Sequence, residues 1–112
     1  METLTKPYSV IIEDILKGYA ELPYAIGDVD CKTIFDRQND RYLLISEGWN
    51  GSNRVHFVLV HLEIINGKIW VQQDNTERGI ANELVEAGIP NLQVVLGFRS
   101  PELRAYSGFA TA

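Results

Sequence analysis

Hydrophobic positions along this chain switch from a helical period to a strand period and back. Between Pro7 and Leu22 the apolar residues Tyr8, Ile11, Ile12, Ile15, Tyr19 and Leu22 recur at helical spacing. That spacing gives one apolar stripe and predicts an amphipathic helix. Pro7 suits its first turn, where the missing N–H would be unpaired anyway. Pro23 ends it by disfavouring the helical conformation at Leu22. Glu13, Asp14 and Lys17 are expected on the wet side. The stripe fits a core-packing helix, and a dimerisation helix would look the same.

After a connection over Pro23–Asp30, the runs Lys32–Asp36 and Arg41–Ser46 flank Gln38-Asn39-Asp40, turn formers between two β-rich segments. They predict a hairpin. Gly48–Asn53 is expected to be loop, since several of its residues tolerate positive φ. Arg54–Ile65 is the strongest strand. Simple alternation puts His56, Val58, Val60, Leu62 and Ile64 on one face and Val55, Phe57, Leu59, His61 and Glu63 on the other. Both faces are apolar in the middle, so the strand should be central and covered twice, by a second layer or a partner chain. Asn66-Gly67 signals a type I′ turn, with Lys68–Gln73 pairing back. Asp74 and Glu77 stand at capping-box spacing, with Asp in place of Ser or Thr. The helix they open should run over Glu77–Ala87, before Gly88 and Pro90. Val94-Val95-Leu96 could add an edge strand, and Pro101–Tyr106 reads as a helical turn. The fold class is therefore α+β: an antiparallel sheet of about four strands, with an N-terminal helix and a second helix after the sheet packed against it.

A chain of 112 residues is expected to form a single domain over residues 1–112. Its net charge of −5 matters more. An acidic chain repels phosphate, and its ten basic residues are scattered from Lys6 to Arg104 with no two adjacent. Direct nucleic-acid contact by the chain alone is not expected; it would require Arg54, Arg99 and Arg104 to converge. The single cysteine, Cys31, excludes an internal disulfide and a multi-thiolate zinc site. No signal peptide or membrane-spanning run is present, so a cytoplasmic protein is expected.

Little in the chain suggests chemistry outright. His56 and His61, five apart on an alternating strand, point to opposite faces, which excludes a shared metal unless a bulge intervenes. His61 and Glu63 share a face and could act as a base with its orienting acid, with Asp74 as a third member. A hydrogen-bonded structural histidine is the favoured alternative. Arg54, His56, His61 and Glu63 together form a second candidate polar site. Glu63, Asp74, Glu77, Glu83 and Glu86 outnumber Lys68 and Arg78 in the same span. A solvated or partner-facing acidic surface is favoured there over a metal site. The glycines fit no phosphate-loop spacing, and no nucleophilic triad is suggested. The expectation is no catalytic residue, no metal and no cofactor.

One stretch carries more than these patterns. The string Gly67-Lys68-Ile69-Trp70-Val71-Gln72, followed by Asp74-Asn75-Thr76-Glu77, Gly79–Leu84 and Gly88-Ile89-Pro90, resembles the cyanobacterial XisI family, the fdxN-element excision controlling factors. Val94–Phe98, Pro101–Arg104 and Gly108-Phe109-Ala110 continue the match, as do Gly48-Trp49, Arg54-Val55-His56 and His61 upstream. At Arg99-Ser100 the chain departs from the histidine that the family often carries before Pro-x-x-Arg. The resemblance implies a non-enzymatic regulatory protein acting with an XisH-type, nuclease-like partner in programmed excision of a DNA element. Asp74, Thr76, Glu77 and Glu83, with Arg104 nearby, are the expected partner-binding residues. The alternatives are a small hydrolase or nuclease subunit using His61, Glu63 and Asp74, and a direct DNA-binding accessory factor. A homo-oligomer, dimer or larger, is also expected, since the central strand needs cover on both faces.

Overall fold

The computed structural model describes residues 6–22 and 27–112. The expected helix stop at Pro23 and the first residues of the connection lie outside them. Helix α1 spans Tyr8–Glu21, and the Pro7 carbonyl accepts hydrogen bonds from the Val10 and Ile11 amides. Proline serves here because the first amides of a helix need acceptors, whereas a proline contributes no donor of its own. The stripe read from the sequence is the buried one: Ile12 and Leu16 are fully inaccessible and Ile11 nearly so. Each contributes about 2 kcal/mol of transfer free energy.

Glu13 corrects the expectation of a wholly polar far side. It is buried, and Arg37 of the first hairpin grips it bidentately, Nε to Oε2 at 2.8 Å and Nη2 to Oε1 at 2.7 Å.

The sheet has five strands in sequence order: β1 (Asp28–Asp36), β2 (Arg41–Asn50), β3 (Asn53–Ile65), β4 (Lys68–Asp74) and β5 (Val94–Leu96). The first four form the expected antiparallel meander. Two parts of the sequence reading change. Gly48–Asn53 is not a loop, because β2 and β3 run through it and turn only at Gly51-Ser52. Gly48 permits this: at φ 154° it lies so close to β1 that a Cβ would come within 2.0 Å of the Asp28 carbonyl. Residues chosen for turn propensity thus also serve where two backbones crowd together. The second change is that β5 pairs with β4 in parallel rather than antiparallel. A parallel neighbour needs a crossover, and helix α2 (Ile80–Glu86) provides it. Asn66-Gly67 forms its turn with both φ angles positive, 52° and 79°, as a type I′ hairpin requires.

Helices α1 and α2 lie on the same face of the sheet and bury one core. Tyr42, Leu44, Val60, Leu62, Ile69, Val71 and Val94 from the strands meet Ile12, Leu16, Ile80 and Leu84 from the helices. A short helix, α3 (Pro101–Arg104), follows β5. Arg104 from α3 lies over the Trp70 ring on the opposite face, 5.1 Å from its centroid. On that outer face Ile34 of β1 and Trp49 of β2 stand exposed.

Candidate partner-binding cleft

The loop between β4 and α2 is organised by Asp74. One carboxylate oxygen accepts the Thr76 amide at 2.9 Å and the Thr76 hydroxyl at 2.6 Å. The other accepts the Ile80 amide at 2.7 Å, the first N–H of α2. The Thr76 hydroxyl in turn accepts the Gly79 amide at 3.2 Å. Asp74 therefore caps the helix from six residues upstream. The helix starts at Ile80 rather than Glu77, because Gly79, at φ 86°, holds the chain outside the helical region until then. Glu77 is freed from capping and stands exposed.

Beside this loop lies a cleft of about 630 Å³ between α1 and the β4–α2 turn. Ile15, Gly18, Leu22, Cys31 and Leu59 form its apolar part; Asp14, Tyr19, Asn75, Thr76, Glu77, Arg78 and Glu83 form its polar lip. Tyr19 donates its hydroxyl to Glu83 and so ties α1 to α2. Burial, then the hydrogen bond to the Glu83 carboxylate, pushes the Tyr19 phenol well above its ordinary range, so it remains a donor. The only lining cation among the described residues, Arg78, is drawn away by Glu86, whose two carboxylate oxygens its Nη2 reaches at 2.7 and 2.9 Å. Its other nitrogen stands 4.0 Å from Glu83. Asp14 meets Lys6 at 3.5 Å. Glu77 has no ion-pair partner among the described residues. The lip is therefore acidic above an apolar floor.

The structure divides the residues singled out from sequence. Thr76, Glu77 and Glu83 meet at the cleft, and Asp74 sits behind them as their framework. Arg104 does not join them. Trp70, beneath it, pairs with Glu63 on the outer face, whereas Asp74 pairs with the core residue Val60. Arg104 also donates to the Leu96 and Arg99 carbonyls, at 3.3 and 3.0 Å, and so braces the C-terminal segment. Tyr19 and Arg78, both central to the cleft, were not singled out. Tyr19 reads as one more core position of the helix, and its partner Glu83 lies 64 residues away.

The second candidate set overturns the expected face assignment. Leu44 pairs with Val60 but the next residue, Ile45, pairs with Val58, so Leu59 is an extra residue in β3. This bulge resets the alternation. Arg54, His56, Val58, His61 and Glu63 then all project from the outer face, opposite Trp49, Glu47, Ile45, Leu43 and Arg41. His56 and His61 share a face after all. Even so, two same-face steps plus the bulge keep them on the order of 13 Å apart, too far for one metal ion. Among the described residues no three or more His, Cys, Asp or Glu side chains are grouped to hold a metal.

Glu63 is engaged by Arg41 at 3.1 Å and by Gln72 at 3.1 Å, and the His61 Nε2 is buried without a hydrogen-bond partner. Asp74 lies on the other side of the sheet, so His61, Glu63 and Asp74 do not converge. Nor do the arginines: Arg54 stacks on Trp49 at the far end of β3, roughly 30 Å of strand from the Glu63–Trp70 end where Arg104 sits.

Comparison with known proteins places this architecture. The family model for XisI, described as XisI protein, matches residues 1–111. The chain belongs to the XisI family. Two crystal structures from Anabaena variabilis ATCC 29413 are similar over nearly the whole fold. A XisI-like protein is 35% identical with a TM-score of 0.84, covering 94% of this chain and 96% of that one. The fdxN element excision controlling factor XisI is 40% identical with a TM-score of 0.76, over the same shares of the two chains. No curated protein matches the sequence. The resemblance read from Gly67–Leu84 and its flanks is thus a family relationship, and the α+β class expected from the sequence is the fold observed. No helix among the described residues is long and apolar enough to cross a membrane.

Proposed function

We propose that this chain is a regulatory accessory protein that acts by binding another protein, an XisH-type partner, in the control of DNA-element excision or a related DNA-associated process. The observation that carries this reading is the acid-lipped cleft between α1 and α2. An apolar floor under carboxylates with little cationic compensation is chemistry for recognition, and it lies on a frame that Asp74 and the Tyr19–Glu83 tie make rigid. Family membership supports the process, since one similar protein is described as an excision controlling factor. Co-expression of the tagged chain with an XisH-type protein, then mass spectrometry of what co-purifies, tests it. A stoichiometric complex is expected; recovery of the tagged chain without that protein overturns it.

A second copy of the chain is the proposed cover for the outer sheet face. Ile34 is 48% exposed there, and Leu43, Ile45 and Val58 are only half-buried. The surrounding charges are of both signs and already interleaved: Arg41 with Glu63, and Lys32 and Arg54 with Glu47. A two-fold interface presents one surface to itself, so mixed signs suit it, whereas the predominantly acidic lip of the cleft would repel its own copy. Light scattering should give a dimer that Ile45→Lys converts to the 12.6 kDa monomer. A monomeric wild type at high micromolar concentration would remove the proposal.

A further inference from the structure

The cleft has a shape and charge that select one kind of occupant. We propose that it is a socket for a single basic side chain, arginine or lysine, projecting from the protein partner. This deepens the docking reading above and rests on it. An anion is disfavoured because the lip carries Asp14, Glu77 and Glu83 against two cations already engaged, Arg78 by Glu86 and Lys6 by Asp14. A purely apolar ligand would desolvate these carboxylates without compensation. A long aliphatic stem ending in a cation satisfies both zones. Its methylenes lie along Ile15 and Leu59, and its charged head reaches Glu83 and Glu77.

Glu83 is prepared for this. Its side chain is only 16% exposed, so a cation reaching it meets a weakly screened charge. Tyr19 fixes one of its oxygens, while the other has, among the described residues, only Arg78 at 4.0 Å. A carboxylate with one oxygen anchored and one nearly unoccupied can accept a charge-assisted hydrogen bond with little side-chain entropy still to lose. At Gly18 the lining is open among the described residues, since a Cβ there would meet none of them within 4 Å.

The test uses N-acetyl-arginine-N-methylamide and its lysine counterpart as probes, titrated into the full, isotope-labelled chain and followed by NMR. The citrulline counterpart, of similar shape but neutral, is the control. The expected result is saturable shifts of the Gly18, Asn75 and Thr76 amides with either cation and none with citrulline. Glu83→Gln keeps an acceptor for Tyr19 and should weaken binding roughly tenfold. Gly18→Leu puts a side chain into the mouth at a helical position where leucine is favoured over glycine. It should abolish the shifts without lowering the melting temperature. Equal shifts from citrulline and arginine, or no shifts at all, overturn the socket.

The complex with the protein partner separates the two readings. Gly18→Leu is expected to lose the complex that the wild type forms. A complex that survives Gly18→Leu overturns the socket and leaves docking on the acidic face standing. Failure of the wild type to form one overturns docking, and the socket with it.

Discussion

The carboxylate of Asp74 is occupied by its own chain. Its three hydrogen bonds, to the Thr76 amide and hydroxyl and to the Ile80 amide, convert a candidate contact residue into the keystone of the β4–α2 loop. Asp74→Ala should cost about 2 kcal/mol in urea unfolding, the upper end for a lost helix cap, with Asp74→Asn recovering part of it. A change below about 0.5 kcal/mol would contradict the assignment. Glu13 makes a different case. The hydrogen bond from Arg37 is the main cause holding its carboxyl below the ordinary value of 4.5, against the opposing effect of burial. A carboxylate whose folded pKa is depressed adds stability that is present above its unfolded pKa and lost as pH falls through the folded one. Stability should therefore decline as the pH drops below about 4.5, and Glu13→Gln should flatten that decline. The Arg37 side chain is 70% exposed, so solvent screens the pair and the loss at neutral pH should be small. An unchanged acid limb in urea titrations at several pH values would contradict the role. Glu13 was unreadable as a core residue because its partner arrives from the hairpin after β1, outside any local pattern.

Elements were legible where period and turn chemistry agreed. The α1 stripe, the four-strand meander and the Asn66-Gly67 turn all follow from local rules the structure keeps. The extra residue at Leu59 broke the reading of β3, because alternation assumes an unbroken ladder and a bulge leaves no mark in composition. That one residue moves Arg54 and His56 to the face of His61 and Glu63. It also places Leu59 on the inner side, where it lines the cleft. The start of α2 was misplaced for a related reason. The capping spacing from Asp74 to Glu77 fits a helix that begins at once, yet the aspartate reaches further, to Ile80, across a turn set by Gly79. The three-residue β5 was legible as a strand but not as a parallel one, since pairing direction depends on the crossover and not on Val94–Leu96 themselves.

At the scale of the whole molecule, the sheet separates two surfaces of different electrostatic character, one predominantly acidic and one of paired, mixed sign. The helical side carries an acidic cleft suited to a basic, non-identical partner. The outer side carries an apolar stripe with interleaved charges, the proposed seat of a second copy. Sequence alone singled out Thr76, Glu77 and Glu83 and the family, but not the cleft, because the cleft forms where Tyr19 of α1 meets Glu83 of α2. The cleft side is the proposed dock for the XisH-type partner. The most direct measurement is the affinity of the purified chain for that partner, by calorimetry, in wild type and in Glu77→Lys/Glu83→Lys, with circular dichroism confirming the fold. The double reversal is expected to raise Kd at least roughly tenfold, more at low salt than at high. An affinity unchanged by the double reversal, with the fold intact, would contradict it.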